Sequence, residues 1–201
     1  MSDGIEMTLR RGLPGGDPAA AARRVTERAL AEGLVDVAYA TVDSPLGPLM
    51  VAGTPRGLVR LAYGDEEGVL DELADRISPR VLEAPGRMDA VRRQLDEYFE
   101  GRRRRFDVPV DWSLTTAAFA RRVLERTAAV PFGGTISYRE AAEAAGSPRG
   151  TRAAGNALGQ NRIPIVVPCH RVLHSGGGLG GYTGGLHRKE YLLHLEGALA
   201  G

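Results

Sequence analysis

The stretch SYREAAEAAGSPRGTRAAGNALGQNRIPIVVPCHR, residues 137–171, decides how the second half of this chain folds. It opens with a capping box, because Ser137 can cap a helix whose third residue, Glu140, reaches back to the backbone of Ser137. This pattern predicts a helix that runs through Ala145 and is stopped by Gly146.

A second short helix follows within the same stretch. Ser147 is placed as its N-cap and Pro148 as its first residue, and the helix is predicted to run to about Leu158 before Gly159 stops it. Two short helices joined by a tight glycine-containing turn form a helix-turn-helix. Many helical hairpins bind nothing, so this pattern by itself is weak evidence for DNA binding.

Arginines at this hairpin strengthen the DNA-binding interpretation. Arg139, Arg149 and Arg152 lie at or near the N-terminal ends of the two helices, and a recognition helix approaches DNA by its N-terminal part. The net charge is only +1, so DNA binding would need such local basic patches rather than a global field. A second basic run, residues 102–105, could be a nucleic-acid patch, but the pattern favours a solvated turn.

The chain's only cysteine stands near the end of the quoted stretch. The apolar residues 163–167 are predicted to be buried, and Pro168 then fixes the backbone that presents Cys169. One cysteine forms no internal disulfide, and together with only four histidines it argues against a metal site of the zinc kind. A lone cysteine is usually a small buried hydrophobe, so its neighbours decide whether it is reactive.

Length and composition are those of a soluble globular protein. The chain has 201 residues, of which 43% are hydrophobic and 25% charged. No apolar run approaches the roughly 20 residues that cross a bilayer, and the N-terminus has no apolar segment of the signal-peptide kind. We therefore expect a cytoplasmic protein that does not associate with membranes.

The N-terminal extension carries one helix signal. Residues 1–16 are polar and rich in glycine and proline, so we expect them to be disordered. Asp17 as N-cap, Pro18 at the first helical position and Gly33 as the stop predict a helix up to Glu32.

A small sheet is predicted after this helix. Residues 37–42, 49–52 and 58–63 are β-prone, and residues 44–48, Ser-Pro-Leu-Gly-Pro, separate the first two runs as a turn. Short connections favour antiparallel neighbours, so the pattern predicts a three-stranded antiparallel sheet.

Two amphipathic helices and a linker complete the first half. Apolar residues recur at helical spacing in two segments: Val69, Leu70, Leu73 and Ile77, then Val91, Leu95, Tyr98 and Phe99. The second helix is predicted to end at Gly101. Residues 107–113 contain two aspartates and a proline, and we interpret them as a linker between two domains.

The residues around the cysteine resemble a known active site. Residues 168–171, Pro-Cys-His-Arg, are similar to the central motif of the O6-alkylguanine-DNA alkyltransferases, the methylated-DNA–protein-cysteine methyltransferases. Residues 136–138 before this motif, and 181–185 and 195–197 after it, resemble further blocks of that family in the same order and spacing. Residues 44–49 resemble the family's ribonuclease-H-like domain more loosely.

The resemblance implies an α+β fold with three parts. Residues 1–35 would be an extension made of a tail and a helix. Residues 36–112 would form a ribonuclease-H-like domain with a small antiparallel sheet. Residues 113–201 would form a helical, catalytic, DNA-binding domain that contains the helix-turn-helix.

The resemblance also implies catalytic roles. Cys169 would accept the alkyl group, and His170 would activate it through a water molecule while Glu196 orients and charges His170. This relay predicts a thiol pKa below its ordinary value. Tyr138 would donate a proton to the guanine ring, and Thr183, where the family commonly has serine, would lie near O6.

Further residues are implied for the pocket and for DNA. Leu158 and Tyr182 would line the base and alkyl pocket, Lys189 would assist Tyr182 or be an ordinary surface lysine, and Asn161 would tie the active-site turn to the helix-turn-helix. Flipping a base out of the duplex costs a few kcal/mol, and Arg152 would fill the vacated space. The expected DNA contacts are Arg152, Arg139, Arg149 and Arg171.

The implied activity is an irreversible, single-turnover transfer from O6-alkylguanine, and also O4-alkylthymine, in double-stranded DNA to Cys169. No cofactor or metal is expected, and the protein is expected to be a monomer in solution. Three other functions stay open: a non-catalytic lesion-binding protein, a helix-turn-helix regulator and a thiol peptidase. Cys169 speaks against the first, the Pro-Cys-His-Arg segment against the second, and the adjacency of His170 to Cys169 against the third.

Overall fold

The computed structural model describes residues 18–199. The chain divides into two compact units, Met1–Val35 and Asp36–Gly201. Between residues 18 and 199, no helix combines the length and the apolar character that are needed to span a membrane.

The described part of the first unit is helix α1, Pro18–Ala31. Gly33 ends it in the left-handed conformation (φ 67°), and the Leu34 amide donates to the carbonyl of Ala29. This is the glycine-dependent helix end that the sequence predicts. The predictions for residues 1–16 and for an Asp17 cap lie outside the described residues.

The second unit begins with a four-stranded mixed sheet. Its strands, in the order β3-β2-β1-β4, are β1 (Val37–Val42), β2 (Leu49–Thr54), β3 (Gly57–Tyr63) and β4 (Val81–Glu83). The first three form the predicted antiparallel meander. However, β4 pairs with β1 in parallel, so the prediction of a purely antiparallel sheet is wrong. The three residues of β4 lie between Pro79 and Pro85, too short a run for an alternating pattern to reveal it.

Helices α2 (Glu66–Arg76) and α3 (Asp89–Phe99) carry the predicted apolar faces. Val69 and Leu73 of α2 join the buried sheet residues in one hydrophobic cluster. In α3, Leu95 and Tyr98 are entirely buried. The face of α3 that Tyr98 occupies reaches the active site described below.

The segment 107–113, predicted to be a linker, is in fact hydrogen bonded to the edge of the sheet. The Leu58 amide donates to the carbonyl of Pro109, and the Asp111 amide donates to the carbonyl of Leu58, both at 2.8 Å. The Asp111 carboxylate also accepts a hydrogen bond from Thr54, at 2.5 Å. Pro109 and Asp111 therefore hold this segment to strands β2 and β3.

The C-terminal half, as far as residue 199, contains four α-helices. They are α4 (Ala118–Ala128), α5 (Tyr138–Ala144), α6 (Thr151–Gly159) and α7 (Leu186–Leu195). The predicted capping box is present at α5, because the Glu140 amide donates to Ser137 Oγ (3.1 Å) and the Ser137 amide donates to the Glu140 carboxylate (2.6 Å). Helices α5 and α6 form the helix-turn-helix.

Helix α6 begins three residues later than the sequence suggested. Ser147 does not cap it; the Gly150 amide donates to the carbonyl of Ser147 at 2.8 Å, which closes a tight turn over Ser-Pro-Arg-Gly. Proline at the second position and glycine at the fourth are typical of such a turn. The same Ser-Pro pair that can start a helix therefore belongs to the turn between the two helices.

Two very short strands place the cysteine beside this helix pair. β5 (Ile136–Ser137) and β6 (Val172–Leu173) pair in parallel. β6 follows the single helical turn Cys169–Arg171 directly, and β5 precedes α5 directly. The pairing therefore holds the cysteine-bearing turn against the start of the helix-turn-helix.

Candidate active site

The turn that carries the cysteine is buried and pinned by Asn161. The Asn161 amide Nδ2 donates to the carbonyl of Val167 (2.8 Å), and its Oδ1 accepts from the Ile163 amide (3.0 Å). Ile165 lies inside this turn at a left-handed φ of 71° and is fully buried. A β-branched residue adopts that conformation only under strain, so the surrounding packing holds the turn in one shape.

Cys169 lies 7% exposed beneath this turn. Its Sγ accepts a hydrogen bond from Asn161 Nδ2 at 3.1 Å. Burial raises the pKa of the thiol to about 11, although the hydrogen bond from Asn161 and the charge of Lys189 act in the opposite direction. The prediction of a lowered thiol pKa is therefore wrong: without substrate the sulfur is a thiol.

His170 is fully buried next to the cysteine. Its Nε2 lies 2.9 Å from Oε1 of Glu196, whereas its Nδ1 has no hydrogen-bond partner among the described residues. Burial lowers the pKa of His170, although the Glu196 carboxylate acts to raise it. A neutral ring that donates Nε2–H to a carboxylate leaves a lone pair on Nδ1, which is the form of a general base.

Glu196 accepts hydrogen bonds from several elements at once. The donors are Tyr98 Oη (2.6 Å), His170 Nε2 (2.9 Å), Arg171 Nε (2.8 Å) and Nη2 (2.9 Å), and the Gly133 amide (3.3 Å). Burial by itself would raise the pKa of Glu196, but the hydrogen bonds from His170 and Arg171 outweigh it and hold the pKa at about 2. The carboxylate is therefore ionised at neutral pH.

A cavity of about 580 Å³ opens above the cysteine. It is bounded by α6 on one side and by the loop after β6 on the other. Its lining includes Cys169, Tyr138, Leu158, Tyr182, Thr183 and Arg152. The structure thus brings six of the residues proposed from the sequence to one pocket.

Known proteins match both halves of the chain. Residues 37–112 match the 6-O-methylguanine DNA methyltransferase ribonuclease-like domain, and residues 118–198 match the DNA binding domain of the same enzyme. The methylated-DNA–protein-cysteine methyltransferase of Mycobacterium tuberculosis is 40% identical over 158 residues, which cover 79% of this chain and 91% of the relative. The chain belongs to the 6-O-methylguanine DNA methyltransferase family.

Further relatives support this membership. The methylated-DNA–protein-cysteine methyltransferase of Methanosarcina barkeri is 37% identical over 158 residues, covering 79% of this chain and 96% of the relative. A crystal structure of Mycobacterium tuberculosis OGT in complex with DNA superposes with a TM-score of 0.70 at 39% identity, over 80% of this chain and 93% of that chain.

Tyr138 and Tyr182, the two tyrosines that line the pocket, are held in place by different neighbouring residues. Tyr138 stacks obliquely on His174, with ring centres 5.1 Å apart, and its hydroxyl lies 3.4 Å from the carbonyl of Gly181. Tyr182 shares a hydrogen bond of 2.8 Å with the hydroxyl of Tyr63 from β3. The sheet therefore supports one wall of the pocket.

Thr183 lies at the edge of the pocket as expected, but its hydroxyl is engaged. Thr183 Oγ1 donates to the carbonyl of Gly159, at the C-terminal end of α6, at 2.8 Å. The side chain therefore joins the loop after β6 to α6.

Lys189 is not a surface lysine, and none of its hydrogen bonds within residues 18–199 goes to Tyr182. It is fully buried in α7, and its Nζ donates to the carbonyls of Val172 (2.6 Å) and Leu179 (2.5 Å). The centre of the Tyr138 ring lies 5.9 Å from Nζ. Burial lowers the pKa of Lys189 to about 8, although Cys169 acts to raise it.

Arg171 is not placed to bind DNA, which corrects the expectation from the sequence. It is only 5% exposed, and its guanidinium donates to Glu196 and to the carbonyl of Val130. A buried guanidinium needs a buried anion, and Glu196 provides it. Arg171 therefore holds the relay carboxylate instead of meeting a phosphate.

The other three arginines lie on the surface. Arg152 is in the first turn of α6 at the rim of the cavity, and Arg149 is in the turn between the two helices. Arg139 is in the first turn of α5, 3.8 Å from the carboxylate of Glu143. All three stay candidates for DNA contact.

Three residues at this site were missed from the sequence: Tyr63, Tyr98 and His174. The two tyrosines lie in the first half of the chain, and no local pattern connects them with Cys169. His174 lies five residues after Cys169, and that proximity was the one signal that could have pointed to it.

Proposed function

We propose that this protein repairs DNA by moving an alkyl group from the O6 of guanine to its own Cys169, once and irreversibly. The observation that carries the proposal is the Cys169 thiol at the bottom of an open cavity, next to the buried His170 ring, whose Nδ1 has a free lone pair that can accept a proton. The relatives named methylated-DNA–protein-cysteine methyltransferase support the assignment. We extend the proposal to O4-alkylthymine, whose alkylated oxygen has the same chemistry.

The thiol must lose its proton as it reacts. With the pKa of Cys169 at about 11, only a trace of thiolate exists at neutral pH, so a base has to act during the transfer. His170 Nδ1 carries the free lone pair that can take this proton. Since buried imidazole nitrogens normally have hydrogen-bond partners, one water that bridges Nδ1 and the thiol would satisfy this nitrogen. Glu196 then stabilises the imidazolium that forms.

In the alkyl transfer, each bond that forms is matched by a bond that breaks. The sulfur forms a bond to the alkyl carbon, the bond from that carbon to O6 breaks, and its electron pair stays on the guanine. The Tyr138 hydroxyl gives the guanine a proton, while His170 takes the proton of the thiol. Exchange with solvent returns both residues to neutral, and the net result is one thioether and one guanine.

The site is compatible with a base flipped out of a duplex. A cavity of about 580 Å³ open to the surface beside α6 can accept an extruded base, and Arg152 on its rim is positioned to enter the space that the base leaves. Arg139, in the first turn of α5, and Arg149, in the turn before α6, lie near enough to the starts of these two helices to contact DNA phosphates. These positions support double-stranded DNA as the partner.

The remaining properties of the proposal follow from the chemistry. The chain itself supplies the acceptor, the base and the proton donor, so we infer a reaction without metal or cofactor and a protein that acts as a monomer. A free reactive thiol needs a reducing compartment, and we place the reaction in the cytoplasm. The domain of residues 113–201 would then contain the relay of Cys169, His170 and Glu196, and the domain of residues 36–112 would support it.

Intact-protein mass spectrometry tests the transfer. After incubation with duplex DNA that contains O6-methylguanine, we expect each molecule to gain one methyl group, located on Cys169 by peptide mapping, in the presence of a metal chelator. Cys169→Ala should bind the same DNA without any gain. If the wild-type protein binds the lesion but its mass stays unchanged, it is instead a non-catalytic lesion-binding protein.

A further inference from the structure

Tyr98 connects the first half of the chain to the proton relay. Its side chain lies on α3 and has no exposed surface. Its hydroxyl donates to Oε1 of Glu196 at 2.6 Å. The same oxygen accepts His170 Nε2 at 2.9 Å, so the tyrosine and the imidazole compete for one carboxylate oxygen.

We propose that Tyr98 is a positioning residue of the alkyl-transfer site, which holds Glu196 in place and limits its basicity so that His170 stays a neutral base. This inference rests on the proposed function, because it assigns a role within that reaction. Nothing in the motif around Cys169 indicates Tyr98, which is 98 residues away from Glu196 in the chain.

The physical reason is the sharing of one negative charge. Every donor to a carboxylate oxygen makes that oxygen a weaker acceptor for the others. With the Tyr98 hydroxyl removed, more of the charge on Oε1 would be available to His170, and the imidazolium would become more stable. A protonated His170 has no lone pair on Nδ1 and cannot take the thiol proton.

The other charges around His170 fix the direction of the effect. Glu196 favours the imidazolium, whereas Arg171 and Lys189 oppose it, and Cys169 is the group that His170 serves. Tyr98 acts only through Glu196. Burial and the nearby Glu196 charge raise the pKa of Tyr98 far above its ordinary value, so its hydroxyl remains a donor at every working pH.

The ring of Tyr98 has a separate, structural role. It packs against Phe99, Phe106 and Phe132, with ring centres 5.4, 5.3 and 6.1 Å away. Tyr98→Phe keeps all of these contacts and removes the hydroxyl alone, which makes it the direct test.

The experiment measures single-turnover transfer to Cys169 across a range of pH, with free O6-benzylguanine so that DNA binding does not enter. In Tyr98→Phe the acid limb of the profile should move to higher pH. The loss should be roughly threefold to tenfold on that limb and less than twofold on the neutral plateau. Tyr39→Phe removes a hydroxyl from β1 that is influenced by Glu83 and Glu66 and is not among the donors to Glu196 named above, so it should leave the limb in place.

A second substitution keeps the test sharp if Tyr98→Phe folds poorly. Site-specific fluorotyrosine at position 98 keeps the hydroxyl and makes it a stronger donor, so the acid limb should move to lower pH, opposite to the Phe variant. A loss that is equal at every pH, or the same direction of shift in both variants, would overturn the proposal. Absence of transfer by the wild-type protein would instead remove the proposed function itself.

Discussion

Replacing Glu196 by glutamine should destabilise the protein through the charge that it leaves behind. The amide keeps the size of the side chain but removes its negative charge. Arg171, whose side chain is 7% exposed, would then be a buried guanidinium without an anion. Removing one partner of a buried ion pair typically costs about 3 to 5 kcal/mol.

The pKa of Glu196 supports the same magnitude independently. It falls from 4.5 to about 2 in the folded protein, and each unit corresponds to about 1.4 kcal/mol, which gives about 3 kcal/mol. Because the folded pKa is the lower one, this stabilisation is fully present above pH 4.5 and is lost as the pH falls towards 2. A protonated Glu196 resembles the glutamine, so the two proteins should converge in acid.

Urea unfolding of the wild-type protein and Glu196→Gln at several pH values measures this difference. We expect about 3 kcal/mol at pH 7 and under half of that at pH 3. Glu97→Gln is the matched control, since it removes a partly exposed carboxylate of α3 that pairs with Arg103, and the free energy of unfolding should change far less than in Glu196→Gln. A difference below about 1 kcal/mol at pH 7, or one that does not shrink in acid, would show that the loss of the Glu196 charge does not leave Arg171 as a costly unpaired cation.

Three further substitutions test the catalytic and DNA-binding roles. Arg152→Ala should slow repair of duplex DNA far more than reaction with free O6-benzylguanine, which needs no flipping; equal losses would show that Arg152 acts through the fold. In His170→Ala, the transfer rate should recover about tenfold per pH unit as the pH rises towards the thiol pKa of about 11. Adding Glu196→Gln should lower the rate little further, since groups that act as a unit are not additive. A loss of rate that is constant at every pH would exclude a base role for His170. Asn161→Ala removes the hydrogen bond to Sγ, so thiol-reagent titration should show a still higher pKa for Cys169, and an unchanged pKa would rule out that contribution. Binding of lesion-containing DNA to the wild-type protein should weaken as salt rises.

The sequence predicted those features that depend on neighbours along the chain. The capping box at Ser137 needs two residues three positions apart, and the glycine stops need only a backbone conformation that other residues avoid. Likewise, the segment that presents Cys169 is continuous. Its resemblance to a known active site could therefore be recognised before any tertiary contact was known.

Local sequence was ambiguous where the same residues suit two structures. Ser147 and Pro148 can start a helix or form a turn, and the closing Gly150 decides for the turn. The strand β4 is three residues long, and its pairing with β1 comes from the sheet rather than from its own pattern. The first error lies at the start of a helix, and the second concerns a strand too short for its own pattern to reveal it.

The tertiary structure alone decided the electrostatics of the site. A sequence shows that Arg171 is charged but not that Glu196 faces it. Because of this contact, a residue that was expected to bind DNA instead forms a buried ion pair with Glu196. The pKa of Cys169 rises because the folded chain removes water from the sulfur, an effect that no motif encodes. Tyr98 reaches the relay from the first half of the chain for the same reason: burial and charge pairing depend on which distant surfaces the fold brings together.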